Sequence, residues 1–140
     1  MPMKVHGKCH CGQVSYEAEI DPEKVSLCHC ADCQMLTGSA YRVNVPASKE
    51  MFILHTGELA SYIKTADSGN KRRHAFCPTC GTPAYSSAVT DPQSFSLRIG
   101  CLDERARLPP KRQIWCDSAV PWSMDLHSVP KFARQQHMVA

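Results

Sequence analysis

The chain has 140 residues, a formal net charge of +3 and nine cysteines, an odd number that cannot pair completely within one chain. That length suits one domain with a single core. No apolar run approaches the ~20 residues that span a membrane, and the first residues lack the apolar core of a signal peptide. We therefore expect residues 1–140 to form one cytoplasmic domain, where reducing conditions favour metal or redox roles for clustered cysteines.

Apolar and polar residues alternate with a period of two along most of the chain, which predicts short strands. Residues 13–20 form the first predicted strand, with Val14, Tyr16, Ala18 and Ile20 on its buried face. One short helix is predicted from Ala31 to about Leu36, ending near Gly38. Further strands are predicted at residues 39–45, 51–56, 59–64, 72–76, 84–87, 95–99 and 112–116. Many short strands separated by turn residues indicate a mainly β fold, sandwich-like or built from folded sheets.

The C-terminal segment, residues 117–140, has no clear hydrophobic period. A segment without periodicity is typical of irregular structure on a surface. We expect it to wrap the domain, with Trp115, Trp122 and Phe132 as apolar anchors.

Seven of the nine cysteines fall into three clusters with the spacings of metal ligands. A closed structural zinc takes four protein ligands, whereas a catalytic zinc leaves one position to water or substrate. Four plus three thiols therefore predict two zinc ions, one that folds the protein and one that can do chemistry. The clusters are Cys9-His10-Cys11-Gly12, Cys28-His29-Cys30-Ala31-Asp32-Cys33 and Cys77-Pro78-Thr79-Cys80-Gly81.

The pair Cys77 and Cys80, in a turn with a proline and a following glycine of positive φ, predicts a zinc knuckle. A knuckle needs a second pair, and Cys9 and Cys11 supply it if the chain bends near Gly12. The rival interpretation is a dithiol redox pair, but that motif opens a helix of a βαβ unit, and the sequence contains no such unit. Loss of this zinc should unfold or loosen the domain.

The cluster of Cys28, Cys30 and Cys33 brings three sulfurs together within six residues. Either Cys101 or Cys116 closes this site as a second structural centre, or the site stays open, or it is only partly occupied. We favour the open site, because each remaining cysteine stands alone in an apolar stretch, where cysteine usually acts as a small buried hydrophobe.

His10 and His29 stand between ligand cysteines. Adjacent residues of an extended chain point to opposite faces, so both imidazoles should point away from the sulfurs. We interpret them as packed neighbours of the sites and not as ligands.

Zinc also changes the charge of the chain. Seven bound thiolates add seven negative charges to the formal +3, and two zinc ions add four positive charges. The loaded protein is therefore near neutral, and nucleic acid is not an expected partner. The one basic run, Lys71-Arg72-Arg73, is either a solvated strand end or a contact for an anionic substrate such as a glutathione carboxylate.

Four stretches closely resemble the glutathione-dependent formaldehyde-activating enzyme and centromere protein V family, over nearly the whole chain. They are Gly7 to Tyr16, Cys28 to Ser39, Phe76 to Gly81, and the C-terminal half with Gly100-Cys101-Leu102-Asp103, Ile114-Trp115 and Pro121-Trp122. The resemblance implies folded antiparallel sheets, often called a β-tent, with little helix and two zinc ions. It implies a structural zinc on Cys9, Cys11, Cys77 and Cys80, and a catalytic zinc on Cys28, Cys30 and Cys33.

Three positions depart from the family pattern. Gln113 stands where the family often has histidine, which leaves the role of that position open. Cys101 stands where threonine or serine is common, and Cys116 where an aliphatic residue is common. Both replacements agree with small packed cysteines outside the zinc sites.

The function that these observations favour is thiol–aldehyde adduct chemistry, with a glutathione-like thiol and an aldehyde as partners. For glutathione and formaldehyde the product is S-hydroxymethylglutathione, and the reverse reaction is carbon–sulfur bond cleavage by a lyase. A zinc that carries three thiolates is a weak Lewis acid, better suited to holding a thiol than to activating water. Two alternatives stay open: a non-catalytic zinc module that binds a partner, and a family enzyme for another small electrophile or thiol adduct.

Overall fold

The computed structural model describes residues 1–136, which contain ten strands, one α-helix and five short 3-10 helices. Turn residues separate nearly all the elements, as the sequence predicts. The strands are β1 Met3–Lys8, β2 Ser15–Ile20, β3 Ser26–Cys28, β4 Arg42–Ser48, β5 Phe52–Thr56, β6 Ala60–Thr65, β7 Lys71–Phe76, β8 Pro83–Ala88, β9 Ser94–Arg98 and β10 Arg112–Ile114, and the helix is α1 Ala31–Thr37. The 3-10 helices are Pro22–Lys24, Lys49–Met51, Ile99–Cys101, Arg105–Arg107 and Cys116–Ser118.

The strands form two sheets. The small sheet has the order β1-β2-β5, and the large sheet has the order β10-β3-β4-β9-β8-β7-β6. Neighbouring strands run antiparallel except β10, which pairs in parallel with β3. The prediction of a mainly β fold with folded antiparallel sheets and little helix is confirmed.

The hydrophobic core lies between the two sheets. Residues directly opposite each other in a ladder share a face. The register therefore gives the large sheet one apolar face, on which Val45, Leu97 and Tyr85 are buried. Val5, Tyr16, Ala18 and Ile20 of the small sheet complete the core, so the alternation predicted for residues 14–20 is confirmed for the strand that it marks.

Helix α1 connects β3 to β4 and has capping groups at both ends. Cys30 precedes it, and its Sγ accepts a hydrogen bond from the Cys33 N–H at 3.3 Å. Gly38 ends it in the left-handed region, with φ 64°, and its N–H reaches the carbonyls of the last turn. The predicted helix is confirmed and runs one residue beyond Leu36.

At the chain ends, one strand was not predicted and one expectation was wrong. The strand β1 was not predicted, although Val5 and Gly7 on its inner face are buried. The aromatic side chains of Trp115, Trp122 and Phe132 are 62%, 60% and 57% exposed, so they are not anchors. Residues 137–140 of the C-terminal segment lie outside the described residues. Within residues 1–136 the longest helix has seven residues, and none is long and apolar enough to cross a membrane.

Candidate metal centres

The first cluster brings together two cysteine pairs that are far apart in sequence. The sulfurs of Cys9, Cys11, Cys77 and Cys80 all lie within 4.8 Å of one another. The Cys9 and Cys11 sulfurs are 3.5 Å apart, and the Cys11 and Cys77 sulfurs are 3.8 Å apart. Zn–S bonds of ~2.3 Å in a tetrahedron separate the sulfurs by ~3.8 Å. The donor set and its dimensions therefore fit a zinc ion.

Two turns build this cluster. After Cys9 the chain turns back, with the Gly12 N–H bonded to the Cys9 carbonyl at 3.1 Å and φ 84° at Gly12. In the knuckle the Gly81 N–H bonds to the Cys77 carbonyl at 2.9 Å, and φ at Gly81 is 79°. A side chain with a Cβ is strained at such angles. The predicted bend at Gly12 and positive φ after Cys80 are thus confirmed.

Thr82 joins the two turns through its hydroxyl. Its Oγ1 accepts a hydrogen bond from the His10 N–H at 3.0 Å and lies 3.2 Å from Cys80 Sγ. Hydrogen bonds from the side chain and backbone of Thr82 lower the pKa of Cys80 to about 5. The knuckle thus offers at least one sulfur in the thiolate form that a metal requires.

The second cluster contains Cys28, Cys30 and Cys33, whose sulfurs also lie within 4.8 Å of one another. Cys28 ends β3, Cys30 caps α1, and Cys33 lies in its first turn. Burial and the neighbouring sulfurs of Cys30 and Cys28 raise the pKa of Cys33 to about 12. Three thiolates this close need a cation to compensate their charge, so this site also fits a metal ion.

No fourth His, Cys, Asp or Glu side chain joins the second cluster within residues 1–136. Neither Cys101 nor Cys116 closes it, so the alternative of a second four-cysteine site is wrong. Cys101 lies against the core, where Tyr16 Oη is 3.3 Å from its sulfur and burial raises its pKa. Cys116 is exposed and Cys101 is only partly buried against the core, so the expectation of a buried cysteine is wrong for Cys116 and met only in part by Cys101.

His29 anchors the loop that carries the three cysteines. Its side chain is fully buried, and its Nε2 donates to Gln113 Oε1 at 2.8 Å. Its carbonyl accepts hydrogen bonds from Gln34 Nε2 at 2.7 Å and from Ser118 Oγ at 3.1 Å. The imidazole of His29 therefore packs beside the site and is not a ligand, as predicted. The imidazole of His10 is not part of the first cluster either, but it is exposed and not packed as expected.

Gln113 thus has a partner at the position where the family pattern often has histidine: from β10, its Oε1 accepts a hydrogen bond from His29 Nε2. The sequence predicted neither this contact nor those of Gln34 and Ser118. The bonds of Gln113 and Ser118 span 84 and 89 residues of sequence, a gap that the β3–β10 pairing closes, whereas Gln34 is only five residues from His29.

Comparisons with known proteins agree with this geometry. The family model described as "Glutathione-dependent formaldehyde-activating enzyme" matches residues 4–118, which include both clusters. The chain belongs to this family. A Halomonas elongata protein named "Putative glutathione-dependent formaldehyde-activating enzyme" is 24% identical over 115 residues, which are 79% of this chain and 73% of that protein.

The fold is also similar to a solved one. A crystal structure of a Rhodobacter sphaeroides protein superposes with a TM-score of 0.60 at 22% sequence identity. The match covers 79% of this chain and 99% of that one. At this identity the likeness shows the shared fold alone.

In this family member, basic side chains surround the three-cysteine cluster. The cation of Lys64 lies 2.6 Å from the Asp32 carboxylate at the start of α1, and the positive charge of Lys64 acts on Cys30. The positive guanidinium groups of Arg42 and Arg98 likewise attract the thiolate form of Cys33. Neither arginine was predicted as a site residue, although each places a charge within a predicted strand, Arg42 in 39–45 and Arg98 in 95–99.

The basic run on β7 divides between the two faces of the large sheet. Arg72 bonds to Ser86 Oγ at 3.3 Å, on the same face as His74. Arg73 points to the other face, where its Nε donates to Ser61 Oγ. Lys71 is exposed. The run is therefore not one continuous patch, and only Arg72 faces the second cluster.

Proposed function

We propose that this chain is a zinc-dependent enzyme that forms or cleaves a thiol–aldehyde adduct, as a carbon–sulfur lyase of the S-hydroxymethylglutathione type. The observation that carries the proposal is the uneven division of sulfur, four in one cluster and three in the other. A catalytic zinc has three protein ligands and leaves its fourth position to a ligand from outside. Membership of the family supports glutathione and formaldehyde as the substrates.

The two clusters would have different roles. Cys9 and Cys77 are almost fully buried, and Cys9, Val14 and Cys77 form a small core of their own. A metal ion held there by four thiolates would have no open position and would link the N-terminal strand to the β7–β8 hairpin, which is a structural role. Cys30 and Cys33 are partly exposed at the N-terminus of α1, where a substrate can approach. Cys28, Cys30 and Cys33 would therefore hold the catalytic ion.

When bound to the three-cysteine cluster, zinc supplies the positive charge that keeps a substrate thiol in its nucleophilic thiolate form. In the synthetic direction the thiolate sulfur attacks the carbonyl carbon of the aldehyde and a carbon–sulfur bond forms. The thiol proton leaves to solvent as the thiolate forms, and the carbonyl π electrons move to oxygen, which takes a proton back from solvent, so that no proton is gained or lost overall. In the reverse direction the hydroxyl loses that proton and the carbon–sulfur bond breaks.

The residues of the chain position these reactants. On α1, Leu36 and Thr37 are three and four residues after Cys33, so they share its helix face. Leu36 and Thr37 also line two neighbouring cavities, of about 280 and 610 Å³. The substrate would therefore lie against this face, with its sulfur at the cluster and the rest of the molecule in the cavities. The bonds to the His29 carbonyl keep the loop from moving as the thiol binds.

The proposal is tested by following adduct formation from glutathione and carbon-13 formaldehyde by exchange NMR. We expect the zinc-loaded chain to accelerate formation over the spontaneous rate. Cys33→Ser should abolish the acceleration while the chain stays folded, and Cys116→Ser, outside both clusters, should keep it. An adduct rate equal to the spontaneous one would reject this function and favour another electrophile or a binding role.

A cytoplasmic location stays a prediction. It agrees with nine free cysteines, none of which is in a disulfide.

A further inference from the structure

Opposite its apolar face, the large sheet carries a row of cationic and polar side chains. The ladder places Cys28 directly opposite Arg42, and Asn44 directly opposite Arg98. Opposite residues share a face, so the two arginines lie on the same side of the sheet as a ligand of the second cluster. The row continues across the strands β8, β7 and β6 through Ser86, His74, Arg72 and Lys64. We call this row the basic face.

Arg42 and Arg98 are the most enclosed cations of the basic face. They are 6% and 7% exposed, and the Nε atoms of both are buried without a hydrogen-bond partner. Arg98 donates from Nη1 to Asn44 Oδ1 at 2.8 Å, and its Nη2 lies 3.1 Å from His74 Nδ1. Within residues 1–136 neither guanidinium has a carboxylate at salt-bridge distance. Buried charges normally have a counter-ion, so this pair needs an explanation.

Both arginines line the two cavities beside α1, the one of about 280 Å³ and the one of about 610 Å³. Neither cavity has an aspartate or glutamate in its wall. The larger cavity also contains Arg105, and the smaller one contains His74. A ligand that fills either cavity therefore meets positive charge and no negative side chain.

The metal cluster does not account for all of this positive charge. Three thiolates with one divalent ion carry a single net negative charge, while Arg42 and Arg98 bring two positive charges. Lys64 is already paired with Asp32. The two guanidinium groups repel each other, and this repulsion adds to the effect of burial in lowering the pKa of Arg98 to about 9. One positive charge is left for an anion from outside.

We propose that Arg42 and Arg98 form a carboxylate-binding subsite that holds the substrate while its sulfur lies at the three-cysteine cluster. The inference rests on the proposed function and deepens it, because it assigns the recognition of a substrate carboxylate to two named residues. A guanidinium binds a carboxylate through two parallel hydrogen bonds, which fixes orientation as well as affinity. The rest of the molecule would extend from the carboxylate into one of the two cavities that these arginines line.

The subsite can be tested by binding alone, without turnover. The probe is S-methylglutathione, whose blocked sulfur cannot form a thiolate, titrated into the zinc-loaded chain by calorimetry. We expect Arg42→Gln and Arg98→Gln each to weaken its binding by about ten- to a hundredfold. Arg73→Gln is the matched control, because Arg73 lies on the same strand as Arg72 but points to the other face, and its affinity should equal that of the wild type.

A second measurement keeps the test independent of variant folding. The diethyl ester of S-methylglutathione, which has no carboxylate, should bind the wild type at least about tenfold more weakly than the free acid. Arg98→Lys, which keeps the buried charge, should recover part of the affinity. The subsite is rejected if the wild type does not bind the probe, if acid and ester bind equally, or if the two arginine variants bind like the wild type. Failure of the proposed function would appear elsewhere, as an adduct rate no faster than the spontaneous one.

Discussion

Replacing one cysteine in each cluster should have unequal effects on stability. Cys80→Ser is the better probe of the first cluster, because Cys80 is exposed and its replacement by serine leaves no cavity. Cys33→Ser is the matching change in the second cluster. Each variant should lose one zinc ion per chain, which metal analysis can verify.

The difference follows from the lengths of chain that the two ions close. Cys11 and Cys77 are 66 residues apart, whereas Cys28 and Cys33 are five apart. In the chain-entropy treatment of a cross-link, the first closure is worth ~4 kcal/mol and the second ~2 kcal/mol. At ~2.1 cal/mol/K of unfolding entropy per residue, these losses lower the melting temperature by ~14 and ~7 °C.

The assay is thermal and urea unfolding of both variants beside Cys116→Ser, which should match the wild type. We expect Cys80→Ser to lose about twice the free energy of unfolding that Cys33→Ser loses, and to retain little folded protein if the wild type is marginally stable. Equal losses in the two variants would contradict the division into a structural and a catalytic ion.

Three further results are expected. Metal analysis of the wild type should give about two zinc ions per chain, and a value of one or less would remove the second site. Gly7→Ala should cost ~1–3 kcal/mol in urea unfolding, because a Cβ at Gly7 would overlap the Tyr16 ring, and an unchanged midpoint would show that the ring can move away. Burial and the charges of Arg98 and Arg42 lower the pKa of His74 to about 4 from 6.5, so the unfolded chain binds the proton first and stability should fall as the pH drops from 6.5 toward 4. With zinc in excess, His74→Gln should flatten this slope; an unchanged slope would assign it to other groups.

Much of the fold could be predicted because its signals are local. Alternation marked β2, a glycine marked the end of α1, and the spacings within the two cysteine pairs marked the knuckle and its partner turn. Strand β1 was missed because Gly7 contributes no apolar side chain to its inner face, which leaves only Met3 and Val5 to mark the alternation.

The surroundings of the second cluster could not be predicted in the same way. Arg42 and Arg98 lie 56 positions apart in sequence, and they meet only because β4 pairs with β9 in one register. A shift of that register by one residue would turn every side chain of β9 to the other face. The same reasoning applies to Gln113, which reaches His29 through the parallel pairing of β10 with β3.

The turn that closes the first cluster has a second use. Thr82 and Pro83, directly after the knuckle, belong to the wall of the larger cavity, and Gly81 and Pro83 to that of the smaller one. A ligand that packs against this wall and requires the ordered turn must also tighten the hold of Cys77 and Cys80 on their ion, because linked equilibria are reciprocal. Zinc and substrate would then both stabilise the β7–β8 hairpin, and each would lower the concentration of the other that is needed to order it.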